Sequence, residues 1–155
     1  MVLPKEIGDA AQEADAARVK AWLDSGGDIN DGDKENYTLI HCCAIGTPDE
    51  EQVTGANVSL ARTLIALGAD VNICNVYGGS PLLQVLENAW RGRAWPDMLK
   101  LLLQAKANPN GTNRHDKTPL QIPLKQSKII LHNLDARAAT HSYGQPLQLR
   151  DDGVD

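Results

Sequence analysis

The sequence predicts an all-α fold, a helical solenoid of about four helix-turn-helix units joined by short hairpin-like turns. Three observations lead there. Apolar residues fall at i, i+3 and i+4 in Val19, Trp22 and Leu23, again in Ala61, Leu64 and Ile65, and again in Leu99, Leu102 and Leu103. That spacing gives each stretch one buried helical face. Each stretch closes on a related pentapeptide: Gly26-Gly27-Asp28-Ile29-Asn30, Gly68-Ala69-Asp70-Val71-Asn72 and Lys106-Ala107-Asn108-Pro109-Asn110. Eight residues beyond each comes a helix-start signal, in turn Thr38-Leu39-Ile40-His41, Ser80-Pro81-Leu82-Leu83 and Thr118-Pro119-Leu120-Gln121. Ser or Thr caps the first N–H groups of a helix, and Pro at the first helical position gives up an N–H that would be unpaired there.

Taken in order, the first unit, residues 4–30, lacks that start signal and reads as an N-terminal cap. Its first helix is short and polar on one side (Lys5, Glu6, Asp9, Gln12, Glu13), and its second is expected over Asp15–Ser25. The second unit, 31–72, should hold helices over Leu39–Ile45 and Val58–Leu67. The third, 73–110, should hold Pro81–Asn88 and Asp97–Gln104. The fourth, 111–134, should begin a helix at Pro119 that runs to Gln126, irregular or short because of Pro123, with another around Lys128–Leu134. The period is lost after Asp135, and residues 135–155, with Gly144, Pro146, Gly153 and an acidic end, read as a tail, docked or disordered. Leu64, Ile65, Leu82, Leu102 and Leu103 are the expected core.

These residues resemble the ankyrin repeat, whose pattern is a Gly-bearing turn, T-P-L-H, a small-residue helix, a second helix with paired Leu, and G-A-D-V-N. Gly68–Asn72 matches the ending letter for letter, Gly78–Leu82 matches the turn and helix start closely, and the resemblance covers about residues 4–134. The departures are specific. Gly26 to Gly68 spans 42 residues and Gly68 to Lys106 spans 38, against a family period of about 33. Both excesses fall between the two helices of a unit, in Thr47–Asn57 and Asn88–Asp97. Asn36 and Asp116 stand where the family turn has Gly, and both types tolerate a left-handed backbone. His41 alone keeps the family's helix histidine, where Leu83 and Gln121 replace it. Its expected role is structural, tying adjacent turns by hydrogen bonds.

The bulk composition narrows function. A chain of 155 residues is long enough to bury one sizeable core. It is 42% hydrophobic but only 4% aromatic, with no Phe, which suits aliphatic helix packing. A net charge of −5 disfavours nucleic acid and anionic lipid as partners. No stretch is apolar enough to span a membrane and no signal segment opens the chain, so a cytoplasmic or nuclear setting is expected. Cys42, Cys43 and Cys74 are an odd set with an adjacent pair, which points to reduced thiols, with Cys42 and Cys43 filling a helix core. His41, Cys42 and Cys43 lack the further ligand spacing of a zinc site, so no metal is expected.

No catalytic constellation is legible, so the chain is read as not an enzyme and without cofactor. Gly78-Gly79-Ser80 follows no strand and precedes no Lys-Ser/Thr pair, which excludes a phosphate-binding loop. His41, His115, His132 and His141 have no metal-ligand spacing. Asp28–Glu35 lacks the twelve-residue calcium loop with its closing Glu.

The resemblance implies a concave groove lined by turn tips and inner helices. By position in the repeat these are Lys34, Glu35, Tyr37 and Ile45, then Val76, Tyr77, Gly79, Glu87 and Asn88, then Arg114, His115, Lys117, Lys125 and Gln126. A second candidate is the insertion Trp90, Arg91, Arg93 and Trp95, conspicuous in an aromatic-poor chain. Tyr, Trp and Arg are the types enriched at binding hot spots. The expected function is a non-catalytic protein–protein interaction module, an adaptor or inhibitor acting as a monomer on another protein. The alternative is a regulatory or accessory domain of an enzyme complex. The resemblance further implies hydroxylation of Asn72 or Asn110 as a possibility of the family.

Overall fold

The structure, a computed structural model, describes residues 2–47, 55–90, 96–115 and 118, apart from the side chains of Ala89 and Trp90. Six helices and no strand are found among them: α1 (Lys5–Gln12), α2 (Ala16–Asp24), α3 (Leu39–Ile45), α4 (Gly55–Ala66), α5 (Pro81–Trp90) and α6 (Pro96–Gln104). The fold is therefore all-α in its described part. The nearest approach to sheet is a single antiparallel bridge between Gly32 and Thr38.

Local chemistry sets the helix ends. The Asp15 carboxylate caps α2 by accepting the Arg18 N–H at 3.0 Å. Thr38 caps α3 in a reciprocal box, its own N–H donating to His41 Nδ1 at 3.1 Å. Ser80 Oγ accepts the Leu83 N–H at 3.3 Å, and Pro81 opens α5. The outer helices α2, α4 and α6 all stop the same way, with a residue of positive φ just beyond: Gly26 at +100°, Gly68 at +100° and Lys106 at +68°. The N–H of the next residue returns to the helix, Gly27 to Trp22 O at 3.2 Å, Ala69 to Leu64 O at 3.0 Å and Ala107 to Leu102 O at 2.9 Å. This satisfies carbonyls that a helix end leaves without partners.

The helices pair as α1–α2, α3–α4 and α5–α6, and the pairs stack. The first helices, α1, α3 and α5, lie side by side, while α4 packs on α6 behind them. Between the two layers sits the core, where Leu39, Ile40, Leu64, Leu82, Leu83, Leu86, Met98 and Leu102 are fully buried. Three positions expected on buried helix faces, of which only Ile65 was an expected core residue, are shallower. Ile65, Trp22 and Leu23 are only partly buried against the core. Trp22 and Leu23 belong to α2, which packs chiefly on α1 and has no outer helix before it in the described chain.

The first insertion is shorter than the sequence implied. Gly55, Ala56 and Asn57 belong to α4, and Asn57 is buried with its amide donating to Gln12 O at 2.7 Å and Ala11 O at 3.4 Å. That contact pins the start of α4 to the end of α1. The second insertion is likewise trimmed, because α5 continues through Trp90 and α6 begins at Pro96. The expected helices Pro119–Gln126 and Lys128–Leu134 and the tail lie outside the described residues. So does Asp116.

Candidate interaction surface

The turn tips are built from one repeated device. In the first, Asp33 N–H donates to Tyr37 O at 3.0 Å and Asn36 N–H to Asp33 O at 2.9 Å. The Asp33 carboxylate accepts the N–H groups of Glu35 and Tyr37, both at 2.9 Å. The second tip repeats this with Asn75: its N–H reaches Gly79 O, Gly78 N–H returns to Asn75 O, and Asn75 Oδ1 accepts Tyr77 and Gly79 N–H at 2.9 Å. At the third, Asn113 Oδ1 accepts His115 N–H at 2.9 Å. Asp and Asn side chains close such turns on their own backbone. The recurrence of Asp33, Asn75 and Asn113 at the same 42- and 38-residue intervals was a signal the sequence reading missed. Asn36 and Gly78, in the left-handed position, have φ of +62° and +74°.

Successive tips are bonded to each other in register. Val76 N–H donates to Glu35 O and Arg114 N–H to Tyr77 O, each at 2.9 Å. Asn36 adds a bond that Gly could not, its amide donating to Cys74 O at 2.8 Å. At the other turn of each unit a second ladder runs, where Asn30 Oδ1 accepts Asp70 N–H at 2.8 Å and Asn72 Oδ1 accepts Asn108 N–H at 2.7 Å. Asn30 and Asn72, which close the first two pentapeptides, are thus cross-ties. His41 joins the same scheme from inside, with Nδ1 on Thr38 and Nε2 3.0 Å from Gly79 O. Since Nδ1 accepts the Thr38 N–H, Nε2 carries the proton and donates.

No protein-family model matches this chain, and no curated protein matches it significantly.

Lys34, Glu35, Val76, Tyr77, Arg114 and His115 come together along the tips, all of them exposed. Val76 is 62% and Tyr77 37% exposed, and the Arg114 guanidinium stands 4.8 Å from the Tyr77 ring centre. A cation over an aromatic face at this distance is held by about 0.5–1 kcal/mol at an exposed site. Arg114 Nε also meets His115 Nε2 at 3.2 Å, and Asn113 donates to Glu87 at 3.2 Å.

Several expectations need correction. Tyr37 is half-buried rather than a free tip residue, packing edge-on to His41 with ring centres 5.6 Å apart. Burial, then the Glu35 charge, raises its pKa. Gly79 and Asn88 were expected in the groove and are both buried. Gly79 is held between Asn75 and His41, and Asn88 lies on the packed side of α5. Arg91, Arg93, Trp95, Lys117, Lys125 and Gln126, like the Trp90 side chain, lie outside the described residues.

A cleft of about 790 Å³ opens between α1, the first tip and α3, with Leu3, Tyr37, Cys42 and Ile45 among its lining. Asp9, Asp33 and Glu35 are also on its walls. The Cys42 thiol at its side is 4% exposed, and burial pushes its pKa up to about 12, so it is an inert hydrophobe. Cys43 is raised for the same reason, whereas Cys74 is exposed. Among the described residues no three His, Cys, Asp or Glu side chains group as metal ligands. No described helix is long and apolar enough to cross a membrane. The geometry offers a ridge and a cleft for binding.

Proposed function

We propose that the chain is an ankyrin-like stack and a non-catalytic interaction module, binding another protein on the ridge of tips and the inner-helix face beside it. What carries this reading is the bonded register of the tips. Glu35 to Val76 and Tyr77 to Arg114 are linked by equivalent backbone bonds, so the exposed side chains around them form one continuous, preorganised row. Preorganisation lowers the ordering cost of association. An exposed Val76 and a Tyr77 topped by Arg114 supply the apolar and aromatic area that hot spots use. Such an adaptor or inhibitor would work in the cytoplasm or nucleus.

The test is to isolate a partner on the immobilised chain and titrate it against Tyr77→Ala and Val76→Asp, with melting to show that each variant folds. Truncating a hot-spot aromatic costs about 2 kcal/mol, roughly thirtyfold in affinity. If both folded variants bind like the parent, the tip ridge is not the binding surface.

A further inference from the structure

Among the described residues the ladder of tips has an open end. Each tip donates one N–H backward to the carbonyl of the tip before it, Arg114 to Tyr77 O and Val76 to Glu35 O. The equivalent donor on the first tip is Lys34 N–H, which has no acceptor among the described residues. No tip precedes it in the described chain. Leu3 N–H bonds Gly32 O and brings the segment before α1 alongside, and Lys34 is on the wall of the 790 Å³ cleft that this segment also lines.

The cleft carries three carboxylates, Asp9, Asp33 and Glu35, against two ammonium groups, Lys5 and Lys34. Lys5 is ion-paired to Asp9 within α1, which leaves Asp33 and Glu35 against Lys34 alone. Asp33 and Glu35 face the same space, and their carboxylates together with Glu87 further along act on the Tyr37 phenol. Leu3, Tyr37 and Ile45 supply apolar lining between them. A backbone donor at a sheet-like edge selects an extended chain, apolar lining selects alternate side chains, and a carboxylate rim selects positive charge.

We propose that this cleft binds an extended, cationic peptide segment of a partner protein, which continues the ladder by accepting the Lys34 N–H on one of its backbone carbonyls. This rests on the reading of the chain as a protein-binding stack and adds the chemistry and the register of what it takes.

The turn itself supplies a sharp test. Lys34 follows Asp33 as the second residue of a turn closed by Asn36 N–H to Asp33 O, a position where proline's fixed φ is favoured. Lys34→Pro therefore deletes the donor while keeping the turn, and Lys34→Ala removes only the charged side chain. Peptides would be selected from a random library on the whole immobilised chain, synthesised, and titrated against parent and both variants.

The expected result is a selected set rich in Lys and Arg that slows hydrogen exchange at the Lys34 amide of the parent. Its affinity should fall about tenfold in Lys34→Pro, the scale of one lost hydrogen bond, and stay within about threefold of the parent in Lys34→Ala. Protection of the Lys34 amide is read on the parent alone, so it decides even if Lys34→Pro does not fold. Peptides that are not cationic, no selected peptide at all, or an unprotected Lys34 amide would overturn the proposal. Peptides that shift Tyr77 and Val76 but leave Lys34 untouched would overturn it while leaving the tip ridge standing as the binding surface. Binding confined to the outer helices, around Arg62 and Asp97, would sink both.

Discussion

His41 Nε2 lies 3.0 Å from the carbonyl oxygen of Gly79, and the same ring's Nδ1 takes the Thr38 N–H at 3.1 Å. One buried imidazole therefore fixes a helix start in one unit and a turn in the next. Burial lowers its pKa from the ordinary 6.5, because a charged ring would lose its water and its acceptor role at Nδ1. The folded state then binds fewer protons than the unfolded state below about pH 6.5. Stability should be at its full value above that pH and fall as pH drops toward the folded-state pKa. Urea midpoints at about pH 7.5 and about pH 5 should show the loss. His41→Leu, which strands the Thr38 donor and leaves Gly79 O with the Asn75 N–H alone, should cost about 1–3 kcal/mol at neutral pH and shrink the pH difference.

Leu102 is fully buried where α6 meets the inner layer. Leu102→Ala should cost about 2–5 kcal/mol by denaturant melts. A loss below about 0.5 kcal/mol would contradict its place in the core.

Backbone sign supplies a paired prediction. Gly78 has φ +74°, and a Cβ there would come within 3.1 Å of Arg114 N. Gly78→Ala should therefore destabilise by at least about 1–2 kcal/mol. Lys106 occupies the same kind of helix-ending position as Gly26 and Gly68 but at φ +68° with a full side chain. Lys106→Gly should stabilise by about 0.5–1 kcal/mol, the relief of left-handed strain outweighing glycine's extra chain entropy. Melting midpoints should move in opposite directions for the two variants.

The thiols separate by burial. Cys74 is exposed while Cys42 and Cys43 are buried, with the Cys42 pKa near 12. A disulfide reagent at neutral pH should modify one thiol per native chain and all three once urea unfolds it. Fast reaction of a second thiol in the native state would show that α3 opens readily.

Much of the scaffold was legible because its signals are local. Thr38 and His41 announce α3, and its bounds, Leu39–Ile45, agree with those expected. Ser80-Pro81 announces α5 in the same way. Contacts set by the stacking were not legible. Nothing in Asn57 or its neighbours tells that its amide will find Gln12 O 45 residues away, and an insertion reading is what its polar surroundings suggest. Asn88 was rightly expected within the helix, but it is buried on the packed side of α5 rather than on the groove rim, a choice of face that its polar side chain does not announce. The candidate surface was half legible: Lys34, Glu35, Val76, Tyr77, Arg114 and His115 emerge exposed, whereas Tyr37 is drawn inward by a histidine whose own burial depends on the next unit.

The ladder at the pentapeptide turns has a consequence for how this chain can change length. Asn30 reaches Asp70 across 40 residues, and Asn72 reaches Asn108 across 36, yet the two bonds are the same bond. The tips agree, with Glu35 to Val76 and Tyr77 to Arg114 equally matched. Pitch along the stack is thus set at the turns, while the surplus residues are absorbed between the two helices of a unit. A change in length between α3 and α4, or between α5 and α6, should therefore leave the spacing of the tips unchanged. A foreign segment grafted there would be carried by the scaffold as cargo, and the binding row would keep its ruler.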